Sequence, residues 1–232
     1  MLNIPNTIQL LEGTKSTIRQ ARNRYLAVGP DWETTFDARA NFFMGTRTTL
    51  TLAQAHLMVL QENLSALSWW EARSPNFSKE FLPSMIVESE VIYRFFTIHM
   101  TFSQMEESLR KIVEAFDRAW YETRPRSITA ITNLLCSRLS METWAELFRF
   151  CHAVRNSIHN NGWYRPDDGT DRELNLYGRR YELKAGRPID FLSWDSICQL
   201  ISGVTEAMLA IVLARPIADL PYVDRGVRPY IR

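Results

Sequence analysis

SMETWAELFRFCHAVRNSIHNNGW, residues 140–163, is the stretch of sequence that decides the fold. Its apolar side chains recur at the spacing of one α-helical face, where each residue advances about 100° around the axis. These apolar residues are Leu147, Phe148, Cys151, Val154 and Ile158. The Asn160–Gly162 segment that follows is a typical helix stop. The stretch therefore predicts an amphipathic helix with one buried face and a defined C-terminal end.

Two basic residues near the end of this helix suggest more than a helix stop. On the helical wheel Arg155 lies within the apolar sector and His159 flanks it. A guanidinium keeps its charge in a protein, so an arginine in this position needs anionic or carbonyl partners. Residues four apart are neighbours on a helix, so Arg155 and His159 can act together on a phosphate. The arginine would bind a phosphate oxygen and the histidine would transfer a proton.

Three residues nearby are supporting candidates for the same site. Asn156 would orient a bound group by hydrogen bonding, His152 lies just beyond His159 on the wheel, and Asn160 faces away from the apolar stripe. A simpler account is helix capping, because cationic side chains are favoured in the last turn of a helix. The local pattern supports the two accounts about equally.

Glu106 lies on the apolar side of a long preceding helix, about 40° from Phe102 on the wheel. A carboxylate in that position can partner Arg155 across the bundle. The alternative is an intrahelical pair with Arg110 at i,i+4. One carboxylate cannot fully engage both arginines, and the sequence slightly favours the intrahelical pair.

The rest of the chain predicts a mainly α-helical bundle with one β-hairpin before the last helix. Helices are expected at about 7–28, 47–72, 84–121, 127–138 and 140–160, the last with Ser140 as its N-cap. Ser193 is the expected N-cap of the final helix, and the state of residues 31–46 stays open. We expect one domain over residues 1–232, made of N-terminal helices (1–83), a core (84–213) and a tail (214–232).

Alternating apolar residues predict the hairpin at about 172–184. Gly178 at the first central position of its turn indicates type II′. Arg179, Arg180 and Lys184 give the hairpin a basic character that suits contact with RNA phosphates. A solvated surface explains these charges nearly as well, because acidic residues lie between them.

Composition argues against several classes of protein, among them strongly charged, disulfide-rich, zinc-binding and membrane-spanning proteins. With 27 basic and 26 acidic residues, the net charge of +1 creates no global field for a nucleic acid or a membrane. Cys136, Cys151 and Cys198 form no C-x-x-C pair, which argues against a disulfide framework or a zinc site. His56 and His99 are far in sequence from a second ligand-type residue, so we expect no metal or other cofactor. The chain lacks a secretory signal, and its longest apolar run (208–214) is too short to span a bilayer. A soluble cytoplasmic protein is expected.

The residues of the opening stretch resemble the signature of the HEPN superfamily. Arg155-Asn156-Ser157-Ile158-His159 is similar to its motif, an arginine often followed by a polar residue and then a histidine after four to six intervening residues. Here only three residues intervene. The resemblance extends to the long helix at 89–113 and to the hairpin and closing helix, and it covers about residues 84–213.

The resemblance implies a helical bundle that often forms homodimers, with two Arg/His motifs in one cleft. Active members are metal-independent ribonucleases, in which the 2′-hydroxyl attacks the adjacent phosphate and leaves a cyclic phosphate. It assigns acid/base chemistry to His159, phosphorane stabilisation to Arg155 and a polar supporting role to Asn156. Such members include toxins and anti-phage defence effectors, so RNA and a cognate antitoxin are the partners it implies. The shorter gap favours an alternative, a non-catalytic interaction or nucleotide-binding module.

Overall fold

The computed structural model describes residues 3–28, 37–74 and 76–224. The helices are α1 Ile4–Val28, α2 Ala38–Val59, α3 Leu67–Glu71, α4 Leu82–Phe116, α5 Arg118–Thr123, α6 Ile128–Arg138, α7 Glu142–His159, α8 Trp194–Leu213 and α9 Arg215–Ala218. A π-helical turn, Leu60–Leu64, follows α2, and a 3₁₀ turn, Lys79–Phe81, precedes α4. The strands are β1 Trp163–Tyr164, β2 Arg172–Leu176, β3 Arg179–Leu183 and β4 Arg187–Pro188. The prediction of a mainly helical chain with a hairpin before the last long helix is confirmed.

Helix α8 forms the centre of the bundle and packs against α1, α4 and α7. The predicted cap is confirmed, because the Ser193 side chain accepts a hydrogen bond from the Ser196 backbone N–H. By length and composition α8 passes the test for a membrane span, but 72% of its most apolar window is buried inside the fold. This burial is typical of the core helix of a soluble bundle.

Two predicted helices differ from the observed ones in where they begin or in being interrupted. Helix α2 begins at Ala38, because the Asp37 carboxylate accepts a hydrogen bond from the Arg39 N–H and caps it. The open stretch at residues 31–46 is thus helical from Ala38 onward, while residues 31–36 lie outside the described part. The helix predicted at 47–72 is interrupted by the π-helical turn and by extended backbone at Ala66. Asp117 likewise separates α4 from α5.

The prediction that Ser140 caps α7 is wrong. Ser140 has a φ of 54°, in the left-handed region, and instead belongs to the end of α6. The Met141 N–H donates to the Cys136 carbonyl, and the Ser140 N–H donates to the Ser137 carbonyl. These two bonds form a Schellman motif, which satisfies the last carbonyls of α6. A serine between two helices can cap the start of the second or lie in the C-terminal cap of the first, and Ser140 lies in the C-terminal cap of α6.

The hairpin pairs β2 with β3, from Arg172–Leu183 at its open end to Leu176–Arg179 at its turn. Its buried face is as the alternation predicts, formed by Leu174, Leu176, Tyr181 and Leu183. The predicted type II′ turn is wrong, because the central residues are Tyr177 and Gly178, with φ of 51° and 75°. Positive φ at both positions defines type I′. A second antiparallel pair, β1 with β4, lies at the base of the hairpin.

A fully buried ion pair joins the start of α2 to the segment after α8. Arg39 donates from Nε and Nη2 to the two carboxylate oxygens of Asp37, at 2.9 and 2.7 Å, and both side chains are 0% exposed. Its guanidinium also donates to backbone carbonyls of the C-terminal segment, at Ile217, Leu220 and Pro221. Residues 217–223 are therefore held against the bundle. We call this arrangement the Arg39 clasp.

Candidate functional site

The end of α7 is fixed by its backbone. The Gly162 N–H donates to the Ser157 carbonyl at 2.9 Å, and the Asn161 N–H donates to the Ile158 carbonyl at 3.1 Å. Asn161 and Gly162 have φ of 55° and 82°, so the predicted helix stop is present. The chain then reverses into β1 and leaves the last two turns of α7 beside α4.

Arg155 extends from α7 toward α4, as its position in the apolar sector predicts. Its Nε donates to the Ser103 hydroxyl at 3.2 Å, and its Nη1 lies 3.4 Å from Glu106 Oε2. The side chain is 25% exposed. Its Nη2 has no hydrogen-bond acceptor among the described residues, so the guanidinium keeps donors for a further anionic group.

Glu106 is the carboxylate on which these contacts converge. Its side chain is 7% exposed and meets three basic residues. Oε1 lies 2.7 Å from His152 Nδ1, and Oε2 lies 3.4 Å from Arg155 and 3.9 Å from Arg110. The contacts across the bundle are shorter than the intrahelical one. The sequence slightly favoured Arg110, but the packing of α7 on α4 brings two other partners closer.

His152 and Asn156 continue this network away from α4. Asn156 is exposed, and its side-chain Nδ2 lies 3.0 Å from His152 Nε2. Glu106, His152 and Asn156 thus form a chain of hydrogen bonds from the protein interior to its surface. His152 is more closely engaged than the sequence indicated.

His159 is exposed and meets α4 one turn further along. Its ring lies edge-on to that of His99, with 4.8 Å between the ring centroids. Burial, followed by the neighbouring His159 and Arg155, lowers the pKa of His99 below its ordinary value. His99 is therefore not isolated in space, although it is isolated in sequence. The cross-helix contacts run in opposite order on α4 and α7, so these helices are antiparallel.

A cleft of about 510 Å³ opens beside α7, between this helix and the loop after β1. The α7 residues in its wall include the predicted candidates His152, Asn156, His159 and Asn160. Arg149, Arg165 and Arg172 add positive charge, and Asp167 and Asp168 add negative charge. Arg172 is paired with Asp168 at 3.4 Å, whereas Arg149 and Arg165 form no ion pair with a described residue. Arg155 is not part of this wall, because its side chain points to α4.

Three basic residues of the hairpin, Arg179, Arg180 and Lys184, lie outside the lining of this cleft and are paired with acids. Arg179 lies 2.6 Å from Asp195, and Arg180 lies 2.8 and 2.7 Å from Glu173 and Glu182. Lys184 lies 3.4 Å from Glu182. These residues are thus not brought together with the α7 candidates, and their contact with RNA stays a prediction.

Sequence reasoning missed four residues of this region. Ser103 and Glu106 follow His99 at i+4 and i+7, so the three share one face of α4. This polar stripe within an apolar helix is the sequence signal that could have identified His99 and Ser103. Arg149 and Arg165 carry no such signal, because solvated arginines show the same pattern.

No metal-sized cluster of three His, Cys, Asp or Glu side chains occurs within residues 3–28, 37–74 and 76–224. All three cysteines are buried as free thiols. Burial raises the pKa of Cys136 and that of Cys198 to about 11, and it raises the pKa of Cys151 as well. Buried thiols of high pKa are poor nucleophiles and poor metal ligands.

Comparison of the chain with protein-family models, with curated proteins and with solved structures gives no match.

Proposed function

We propose that this chain is a HEPN-like RNA-binding protein that cleaves RNA by transfer of the 2′-oxygen to the adjacent phosphorus. One observation carries the proposal. Two histidines and Asn156 of α7 line a single cleft together with the C-cap residue Asn160 and with arginines. Arg155, on the neighbouring face of α7, pairs with Glu106 of α4.

The cleft offers the groups that RNA recognition requires. Arg149 and Arg165 can bind phosphate oxygens, and the amides of Asn156 and Asn160 can hydrogen-bond to base edges. Trp163 lies outside the lining of the cleft, next to the lining residue Tyr164; it is 41% exposed and offers a surface for base stacking. The net charge of the chain is near zero, so this local group of cations would supply the attraction for RNA.

The chemistry uses His159 and Arg155 in the roles that the family resemblance implies. His159 transfers a proton, and the unoccupied Nη2 of Arg155 stabilises charge on the phosphorus oxygens. His159 lies between the cleft and the face of α7 that carries Arg155, because it lines the cleft and also contacts His99 on α4. We further propose a cytoplasmic homodimer that acts as a toxin or defence component and has a cognate antitoxin as its partner.

The test is cleavage of total RNA in EDTA by the purified wild-type protein and its His159→Ala and Arg155→Ala variants. Each substitution is expected to lower the cleavage rate by about 100-fold or more. His56→Ala is the matched control, because His56 lies away from the cleft and pairs with Ser89 at 3.0 Å. Equal cleavage by all four proteins would indicate a contaminating nuclease and exclude the proposal.

A second candidate function is a non-catalytic interaction or nucleotide-binding module. The observation that favours it is the ion pair of Arg155 with Glu106, which balances the arginine charge within the chain. This function predicts no cleavage by the wild-type protein. It also predicts that Arg155→Ala weakens self-association or nucleotide binding, measured by light scattering and by calorimetry.

A further inference from the structure

The Glu106–His152–Asn156 chain joins α4 to two α7 residues, which lie seven and three positions before His159. Its inner end is a carboxylate that is 7% exposed, and its outer end is an amide in the cleft wall. The imidazole between them is 27% exposed, so one ring nitrogen is buried against a charge while the other faces the cleft. A buried carboxylate that orients an imidazole is a recurring way to hold and stabilise a proton-transferring histidine.

The two hydrogen bonds define which nitrogen of His152 carries the proton. An ionised carboxylate only accepts hydrogen bonds, so Nδ1 must donate to Glu106 Oε1 across 2.7 Å. The Asn156 Nδ2 group only donates, so Nε2 accepts from it across 3.0 Å. With this orientation of the Asn156 amide, both contacts fit the tautomer that carries its proton on Nδ1 and has a lone pair on Nε2 at the cleft.

We propose that His152 is the general base of this cleft and that Glu106 is its positioning residue. The proposal rests on the proposed ribonuclease function and assigns a proton-transfer step to a residue outside the Arg155–His159 motif. Asn156 holds Nε2 in the absence of substrate and releases it when a ribose enters.

The assignment gives a balanced reaction with two histidines. His152 Nε2 takes the proton of the ribose 2′-hydroxyl, whose oxygen forms a bond to phosphorus. The bond from phosphorus to the 5′-oxygen breaks, and a protonated His159 gives its proton to that leaving oxygen. The products are a 2′,3′-cyclic phosphate and a free 5′-hydroxyl. Water then restores the two histidines by exchanging one proton with each.

The helix places these histidines suitably for separate roles. They are seven residues apart, which gives roughly 10 Å of rise along α7 and a difference of about 20° on the wheel. Both therefore face the same side of the helix with space for a phosphodiester between them. Their surroundings differ, because His152 has a carboxylate behind it whereas His159 has the His99 ring.

The first experiment measures cleavage of an oligoribonucleotide by His152→Ala, Glu106→Gln and the His56→Ala control. His152→Ala is expected to lower kcat by about 100-fold or more. Glu106→Gln keeps a hydrogen-bond acceptor but removes the charge, so we expect kcat to fall by about 10-fold or more with KM little changed. Circular dichroism checks that each variant is folded. Wild-type rates for a folded His152→Ala variant would overturn the assignment while leaving the ribonuclease function intact.

The second experiment reads the wild-type protein and does not depend on cleavage. The chain has only four histidines, so ¹⁵N spectra of the ring nitrogens are readily assigned with single substitutions. We expect neutral His152 to show a protonated Nδ1 and an unprotonated Nε2. We also expect uridine 3′-monophosphate to shift the His152 Nε2 signal and leave that of His56 unchanged. A protonated Nε2, or an unmoved signal at saturating nucleotide, would overturn the proposal.

The two experiments separate the two proposals. If the wild-type protein cleaves no RNA, the ribonuclease function fails, and the role of His152 as general base fails with it. If it cleaves RNA but the ¹⁵N spectra show the other tautomer, only the His152 assignment fails.

Discussion

The Arg39–Asp37 and Arg155–Glu106 pairs lie in opposite settings. In the Arg39 clasp both side chains are 0% exposed, and the guanidinium donates to Asp37 and to three backbone carbonyls. At the Arg155–Glu106 pair the arginine is 25% exposed and its nearest carboxylate oxygen is 3.4 Å away. The first arginine is enclosed by the fold, and the second retains an unoccupied donor at the surface.

This difference indicates which arginine is structural and which can bind a ligand. A guanidinium with all of its donors engaged has nothing to offer a ligand, and its loss leaves a buried carboxylate without a partner. A guanidinium that keeps a donor can bind another anion at little cost to the fold. The comparison leads to four predictions, ordered by expected effect.

The largest effect is expected for Arg39→Met. The substitution leaves Asp37 charged and buried and removes the donor for three carbonyls, so the free energy of unfolding should fall by about 3–5 kcal/mol. Urea unfolding followed by tryptophan fluorescence measures this change. The control is Arg215→Met, because Arg215 is 92% exposed and its pair with Asp219 should contribute nothing measurable. Equal stability of the two variants would remove the distinction between the pairs.

A smaller loss is expected for Gly162→Ala at the end of α7. A left-handed backbone costs a non-glycine residue about 1–2 kcal/mol. The added Cβ would also lie 3.3 Å from the Phe95 ring. Gly169→Ala is the matched control, because its φ is also positive but no atom lies within 4 Å of its added Cβ. A larger loss at Gly162 than at Gly169, measured by urea unfolding, would show that the reversal after α7 is fixed by packing against α4.

Arg155→Met should reduce stability by only about 1 kcal/mol or less, because the pair is partly solvated. The same substitution should lower the rate of RNA cleavage by about 100-fold or more, whereas Arg39→Met affects cleavage only through folding. Unfolding and cleavage assays on both variants therefore test the comparison directly. A loss of stability as large as that of Arg39→Met would place Arg155 among the structural arginines.

The smallest effect concerns pH. The pKa of His99 is lowered from its ordinary 6.5, first by burial and then by the positive charges of His159 and Arg155. Below that ordinary value the unfolded chain binds a proton that the native state does not, so the free energy of unfolding falls as the pH decreases. Arg155→Met removes one of these charges, which raises the pKa of His99 and makes the decrease shallower. Urea unfolding between about pH 7.5 and pH 5.5 measures the slope, and an unchanged slope would contradict this account.

The helical pattern of the sequence predicted the direction of the Arg155 side chain but not the residues that it contacts. The α7 stripe predicted that Arg155 points inward, since helical periodicity fixes the direction of a side chain. It did not decide between Arg110 and Arg155 as the partner of Glu106, because an i,i+4 neighbour is always within reach and a neighbour on another helix depends on packing. His99 was overlooked for the same reason.

The Arg39 clasp was beyond prediction from the sequence. Three of its acceptors are backbone carbonyls, which every residue has and which therefore leave no signal in the sequence. The predictions for Ser140 and for the turn at Tyr177 were wrong for a different reason. The local sequence at each position is compatible with two structures: Ser140 can end one helix or cap the next, and the turn can be type I′ or type II′. Only the hydrogen bonds of the neighbouring elements decided between them.

The Arg39 clasp has a consequence for folding during synthesis. Arg39 and its acceptor at Ile217 are 178 residues apart in the chain. At about 5–20 residues per second, a ribosome completes that interval in roughly 9–36 s. Throughout this time Arg39 and Asp37 lack their contacts with residues 217–223, so the start of α2 cannot reach its native packing. We therefore expect the nascent chain to remain protease-sensitive near residue 39 until the segment that covers it has emerged from the exit tunnel.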